Sequence, residues 1–127
     1  MKYLNTNSIK MTLKKTLKLN KLDFYKKHIA IINALFIPDK NKLSIREIEL
    51  LGLFIYNTEN VPSEYTFATV TRNKVMAAMG ISHGGLTNYL SQLRNKGAIQ
   101  KDTINKAFYP LTIKEQEYQI KLEVNGN

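Results

Sequence analysis

The chain has 127 residues, no cysteine and a formal net charge of +9 at pH 7. This length can bury one hydrophobic core without disulfides or metal ions, and the lack of cysteine excludes structural disulfides and thiolate metal sites. The longest apolar run, residues 29–37, is interrupted by Asn33 and is too short to span a bilayer. The first residues also lack the apolar run of a signal peptide. The sequence predicts one cytoplasmic domain with no membrane partner.

The amino-terminal third, residues 1–42, carries ten lysines against two aspartates, Asp23 and Asp39. Apolar and polar residues alternate over 9–19, which predicts a strand with a bulge near the lysine pair at 14–15. Asp23 is the expected N-cap of a helix running to about Phe36. The expected inward residues of that helix are Phe24, Ile29, Ile32, Leu35 and Phe36. This basic strand and helix would pack on the core or extend it.

The next segment contains a helix and a short strand. Ser44-Ile45-Arg46-Glu47 has the spacing of a capping box, so a helix is expected over 44–57. Its expected apolar positions are Ile45, Ile48, Leu51, Leu53, Ile55 and Tyr56. Residues 59–63 include Asn60 and Pro62 and should end that helix. Residues 65–70 are rich in aromatic and β-branched residues and predict a strand.

Residues 71–97 read as two short helices joined by a tight turn. Thr71 is the expected N-cap of a helix over 71–79, which Gly80 ends by adopting the left-handed conformation. Ser82 should cap the second helix, over 82–96, and Gly97 should end it. Apolar residues recur at i, i+3, i+4 and i+7 on one face of that helix, at Leu86, Tyr89, Leu90 and Leu93. Residues 98–109 can then pair as a hairpin around Asp102-Thr103.

This order of elements, over residues 43–110, resembles the winged-helix branch of the helix-turn-helix superfamily of DNA-binding regulators. The resemblance implies an α+β, mainly α fold, in which the helix over 82–96 enters the major groove of double-stranded DNA and the hairpin is the wing. Residues 1–42 and a carboxy-terminal strand in 111–127, where Tyr118, Ile120, Leu122 and Val124 alternate with polar residues, are additions to that fold. The two terminal strands can pair with each other, across a homodimer, or with another protein.

Helix geometry selects the side chains expected to contact DNA. At about 100° per residue, the side opposite the apolar face of 82–96 is polar and suited to base edges. The basic side chains within the range 71–106 would contact phosphates. The predicted DNA-binding residues are Arg72, Lys74, Ser82, His83, Gly84, Thr87, Asn88, Ser91, Gln92, Asn95, Lys96, Lys101 and Lys106.

An enzyme is not expected. The chain has two histidines, His28 and His83, and no cysteine, so no nucleophile–base pair or metal cluster can be identified in the sequence. We therefore predict no catalytic residue, no metal and no cofactor. Two functions remain open. The first is control of transcription or replication by DNA binding in a bacterial cytoplasm, including that of a phage host. The second is a phage virion component, in which a winged-helix scaffold makes protein–protein contacts in a larger assembly.

Overall fold

The computed structural model describes residues 14–110 and 116–124 of the chain. Within these ranges the fold is mainly helical, with one small antiparallel sheet. Its elements are α1 (Lys21–Phe36), α2 (Ile45–Asn57), α3 (Thr69–Met79), α4 (His83–Asn95), β1 (Ile99–Gln100) and β2 (Thr103–Ile104). Single-turn 3₁₀ helices cover Asp39–Asn41, Ser63–Tyr65 and Lys106–Phe108. The expected α+β, mainly α class is confirmed.

Short-range capping signals explain where α1 and α2 begin. The capping box of α2 is confirmed: the Glu47 amide donates to the Ser44 hydroxyl (3.2 Å) and the Ser44 amide donates to Glu47 Oε1 (2.8 Å). The predicted helix ending at Phe36 is confirmed as α1, but its predicted N-cap was wrong, because Asn20 rather than Asp23 is the N-cap. The Asn20 side chain accepts a hydrogen bond from the Asp23 amide at 2.8 Å, which places Asp23 in the first turn.

The predicted strand over 65–70 is absent. Ser63–Tyr65 forms a 3₁₀ turn instead, and α3 begins at Thr69 after an Ala68 N-cap that provides no side-chain hydrogen bond. Thr66 stabilises the turn by donating its hydroxyl hydrogen to the Ser63 carbonyl oxygen at 2.7 Å. Thr71 is therefore a buried residue of the first turn of α3 and not its cap. β-Propensity depends on a neighbouring strand, and the described residues offer none here.

The terminal strands are not formed within the described ranges. Residues 14–19 and 116–124 have no regular secondary structure, and no backbone–backbone hydrogen bond joins one described segment to the other. Leu17 and Leu19 are exposed. The first part of the predicted amino-terminal strand, residues 9–13, lies outside the described residues.

The core forms where α1 and α3 pack on α2 and where α4 packs on β1. Its fully buried side chains include Ile29, Leu50, Leu51, Phe54, Val75, Leu86, Leu93 and Phe108. Helices α1 and α2 approach closely at Gly52, where an added Cβ would lie 2.7 Å from Lys26 Cγ. No helix in the described ranges is long and apolar enough to cross a membrane.

Four residues expected to face inward are exposed: Leu35, Phe36, Ile45 and Tyr56. Leu35 and Phe36 lie in the last turn of α1, beyond its buried residues Ile29 and Asn33. Asn33 occupies that inward position because its side chain donates to the Leu43 carbonyl (3.1 Å) and accepts from the Leu43 amide (2.7 Å). A polar residue thus ties the loop that follows α1 to the helix.

The hairpin is shorter than predicted and its turn is shifted by one residue. Ile99 pairs with Ile104 and Gln100 with Thr103, so the turn residues are Lys101 and Asp102 rather than Asp102 and Thr103. Ile99 and Ile104 face the core, whereas the other two strand residues are exposed. This alternation packs one face of the hairpin beside α4.

Candidate functional site

The turn between α3 and α4 is built from three residues. Gly80 adopts φ 65°, as predicted for the residue that ends α3, and the Ile81 amide donates to the Met76 carbonyl at 3.1 Å. Ser82 caps α4, since its hydroxyl accepts from the Gly85 amide at 3.0 Å. These local hydrogen bonds end α3 at Met79 and start α4 at His83.

Two consecutive residues of α2 bind the carboxyl-terminal ends of α3 and α4. Arg46 Nη2 donates to the Met79 carbonyl at the end of α3 (3.1 Å), and Glu47 Oε1 accepts from Lys96 Nζ just after α4 (2.6 Å). Glu47 is buried, which opposes its ionisation. The hydrogen bonds from Lys96 and Ser44 outweigh that effect and lower the pKa of Glu47 below its ordinary value.

The outer face of α4 is polar and exposed. The residues predicted to read bases all lie on this side, while Leu86, Leu90 and Leu93 are buried on the other. The Thr87 hydroxyl donates to the His83 carbonyl at 3.0 Å, and the Ser82 hydroxyl is engaged as the cap. The exposed predicted residues of this helix and its cap are Ser82, His83, Gly84, Thr87, Asn88, Ser91, Gln92 and Asn95.

The predicted basic residues divide into two groups. Lys74, Lys101 and Lys106 are exposed and Arg72 is half-buried, and none of the four forms an ion pair with another described residue. Lys96 differs, because its ammonium group lies against the buried Glu47 carboxylate. The Lys96 ammonium group is thus already paired with a carboxylate of the protein.

Arg94 was not among the predicted DNA-binding residues. It lies in the last turn of α4, is exposed and makes no ion pair within the described residues. Its position is about 90° from the centre of the outer face, given about 100° per residue, so helical periodicity alone left it out. A basic residue at the border of a polar helix face is the signal that could have identified it.

The hairpin presents a strained lysine. Lys101 has φ 58°, the one positive φ at a non-glycine residue in the described ranges. A lysine in this conformation costs about 1–2 kcal/mol relative to ordinary backbone, whereas glycine or asparagine adopts it readily. Lys101 is one of the two turn residues of the hairpin, and its side chain is exposed there.

Residues 71–101 contain no aspartate or glutamate. The surface formed by α3, α4 and β1 therefore carries positive charge and neutral hydrogen-bonding groups. The first acidic residue after this stretch is Asp102, in the hairpin turn. Chemically, such a surface can bind a polyanion and can donate and accept hydrogen bonds.

A separate cleft of about 530 Å³ lies between α1, the end of α2 and Tyr109. In it, Glu59 Oε2 accepts from the Tyr25 hydroxyl (3.0 Å) and from Lys21 Nζ (2.8 Å). Burial and, to a lesser extent, the Glu59 carboxylate raise the pKa of Tyr25 to about 12. No histidine lines this cleft, and the described residues contain no cluster of three metal-ligating side chains.

Comparison with known proteins adds no further information on this site. No family model, no curated protein and no solved structure matches the chain.

Proposed function

We propose that this protein binds double-stranded DNA without catalysing a reaction, through a winged helix-turn-helix made of α3, α4 and the hairpin, in control of transcription or replication. The observation that carries the proposal is the outer face of α4, where exposed amide and hydroxyl side chains lie on a surface free of acidic residues from 71 to 101. In this proposal α4 occupies the major groove, where Asn88 and Gln92 bind base edges.

The hairpin is the proposed wing. Strained backbone at a surface lysine favours a role for the charge, because strain of this kind persists where function requires it. Lys101 and Lys106 would contact phosphates, which position the protein on the duplex without reading sequence. Arg94 and Arg72 extend the same basic surface.

The test is titration of fluorescent duplexes, specific and random, with the wild-type chain and two variants. A specific duplex is first selected from a random pool. Replacing Asn88 and Gln92 with alanine should reduce discrimination between the duplexes by about 1–3 kcal/mol for each base that these side chains no longer bind. Replacing Lys101 and Lys106 with alanine should weaken binding to both duplexes equally.

The stability of the folded state is the control, since the side chains of Asn88 and Gln92 are exposed and make no hydrogen bond to another residue that the structure describes. Their replacement should change the free energy of unfolding by no more than about 0.5 kcal/mol. A folded wild-type protein that binds no duplex at low salt would show the proposal to be wrong.

A second function has its own support. The apolar side chains of Ile45, Leu122 and Val124 are exposed by 83%, 91% and 96%. Such side chains favour protein–protein contacts, as in a virion component that uses the same scaffold in an assembly. Co-assembly with other virion proteins, together with absence of duplex binding, would favour this function.

A further inference from the structure

Residues 117–124 form a segment without regular secondary structure and without a backbone pairing partner in the described structure, and we call it the tail segment. It makes no backbone–backbone hydrogen bond to another described residue. Its apolar side chains alternate with polar ones in the sequence: Ile120, Leu122 and Val124 are exposed, and Lys121 and Glu123, at the positions between them, form an ion pair (2.8 Å). Period-two alternation with unpaired backbone is the state of a strand before it joins a sheet.

One end of the tail segment is held on the folded domain. The Tyr118 hydroxyl lies 2.6 Å from Nδ1 of His28, a buried residue of α1, and the two rings stack at 5.8 Å between centroids. This contact fixes where the segment leaves the domain, while residues 119–124 extend beyond it into solvent. The tail segment therefore leaves the folded domain at a defined position, next to His28 of α1.

We propose that the tail segment pairs antiparallel with the tail segment of a second copy of this chain, with the two-fold axis at Leu122. In this register Leu122 faces itself, Ile120 faces Val124 of the second copy, and Lys121 faces Glu123 of the second copy. The pair between Lys121 and Glu123 is formed twice by symmetry, as an isologous interface requires. Directly opposite pairs of opposite charge stabilise an antiparallel ladder, and like charges destabilise it.

The charge pattern favours a second copy over another occupant. The charges of Lys121-Leu122-Glu123 are complementary to those of a second, antiparallel copy of the same segment. A segment that pairs with an unrelated sheet edge does not need this self-complementarity. The described amino-terminal residues 14–19 make no backbone–backbone hydrogen bond to the tail segment, so they do not occupy it. The inference does not depend on DNA binding.

Charge reversal tests the register in solution. Light scattering should show a monomer–dimer equilibrium for the full chain that shifts toward the dimer as concentration rises. Lys121→Glu places carboxylates opposite each other and Glu123→Lys places ammonium groups opposite each other, so each variant alone should be monomeric. An equimolar mixture of the two, or the double exchange in one chain, should restore the dimer. Gln119→Lys, a charge change outside the 120–124 ladder, is the control and should leave the dimer intact.

The folded domain should not be affected by these substitutions, because Lys121 and Glu123 are exposed and form no other ion pair among the described residues. At concentrations where every protein is monomeric, circular dichroism should be identical for all variants. A wild-type protein that remains monomeric at high concentration, or variants that dimerise like the wild type, would overturn the proposal.

A second measurement reports the axis itself. The chain has no cysteine, so Leu122→Cys introduces a single thiol that faces its own copy. Opposite Cα atoms in an antiparallel pair are about 4.5–5.5 Å apart, within disulfide range. Leu122→Cys should therefore cross-link rapidly under mild oxidation. Ile120→Cys should not, since its two copies lie about 14 Å apart, four residues along the strand, but it should cross-link when mixed with Val124→Cys. Equal rates for all three single variants would refute the axis.

Discussion

At the scale of single residues, Glu47 stabilises the fold through its ion pair, whereas the backbone conformation of Lys101 destabilises it. Glu47 is buried and held in its charged form by Lys96 and by the amide of Ser44. Its second oxygen, Oε2, is buried without a hydrogen bond among the described residues, so the ion pair with Lys96 is the main compensation for its burial. Lys101 is exposed and adopts a backbone conformation that disfavours lysine.

Acid should destabilise the protein through Glu47. Its pKa in the folded state is below the ordinary value of 4.5, so its contribution to stability is complete above that pH. The contribution disappears as the pH falls through the folded-state pKa. Denaturant unfolding measured from neutral pH to pH 3 should show this decrease. Glu47→Gln should be less stable at neutral pH and should lose less stability on acidification; equal decreases would contradict the role of Glu47.

Lys101→Asn should separate stability from binding. Asparagine accepts positive φ, so the free energy of unfolding should rise by about 1 kcal/mol. Removing the charge should weaken duplex binding equally for specific and random sequences. Lys101→Arg is the matched control, because it keeps both charge and strain and should change neither quantity. A weaker fold in Lys101→Asn would indicate that the lysine side chain, not the backbone, determines this turn.

At the scale of elements, α1 and α2 pack closely because Gly52 has no side chain where Lys26 crosses it. The Cβ of an alanine at 52 would meet Lys26 Cγ at 2.7 Å, whereas the Lys26 backbone is at an ordinary 3.6 Å. The contact with the lysine side chain is thus the obstacle to substitution. Elsewhere in a helix interior, glycine is less favourable than alanine.

A double-mutant cycle should reveal this packing. In the Lys26→Ala background, Gly52→Ala should stabilise the protein by about 0.5–1 kcal/mol, because alanine restricts the unfolded chain more than glycine. In the wild-type background, Gly52→Ala should raise the free energy of unfolding by less, or lower it, because the Lys26 side chain must move. Thermal or denaturant unfolding of the four proteins gives the coupling energy. A coupling energy of zero would mean that the Lys26 side chain does not limit how closely α1 and α2 pack at Gly52 and that other contacts set this distance.

At the scale of the whole molecule, positive charge lies in two regions of the chain. One is the surface of α3, α4 and the hairpin, and the other is the amino-terminal third, of which Lys14, Lys15 and Lys18 are exposed and free of ion pairs within the described residues. Both regions can contribute to the attraction of a polyanion.

The salt dependence of DNA affinity should show whether the second region contributes. Replacing Lys14, Lys15 and Lys18 with alanine should reduce the slope of log affinity against log salt by about 0.9 for each phosphate that the protein no longer neutralises. Replacing Lys21, which already pairs with Glu59, is the control and should leave the slope unchanged. An unchanged slope in the triple variant would assign those lysines to folding or assembly instead.

Local signals allowed much of the fold to be predicted. The Ser44–Glu47 capping box, the left-handed Gly80 and the apolar spacing of α4 each involve residues within a few positions, so the sequence reports them directly. The exposed outer face of α4 followed from the same spacing. The Glu47–Lys96 pair joins residues 49 positions apart, and such contacts depend on how α2 and α4 pack. The strand expected over 65–70 failed for the same reason, because a strand needs a partner.

The paired anchors Arg46 and Glu47 have a consequence for how this protein can evolve. Because they are neighbours in the first turn of α2, inserting one residue just before them would rotate both by about 100° and release α3 and α4 together. Residues 60–62, between α2 and the 3₁₀ turn at Ser63–Tyr65, are exposed, and this stretch can absorb insertions. The outer residues of α4 take no part in these anchors, so they can be exchanged without changing the angle between the helices. A lineage could therefore alter what this surface binds by point substitution while the scaffold stays unchanged.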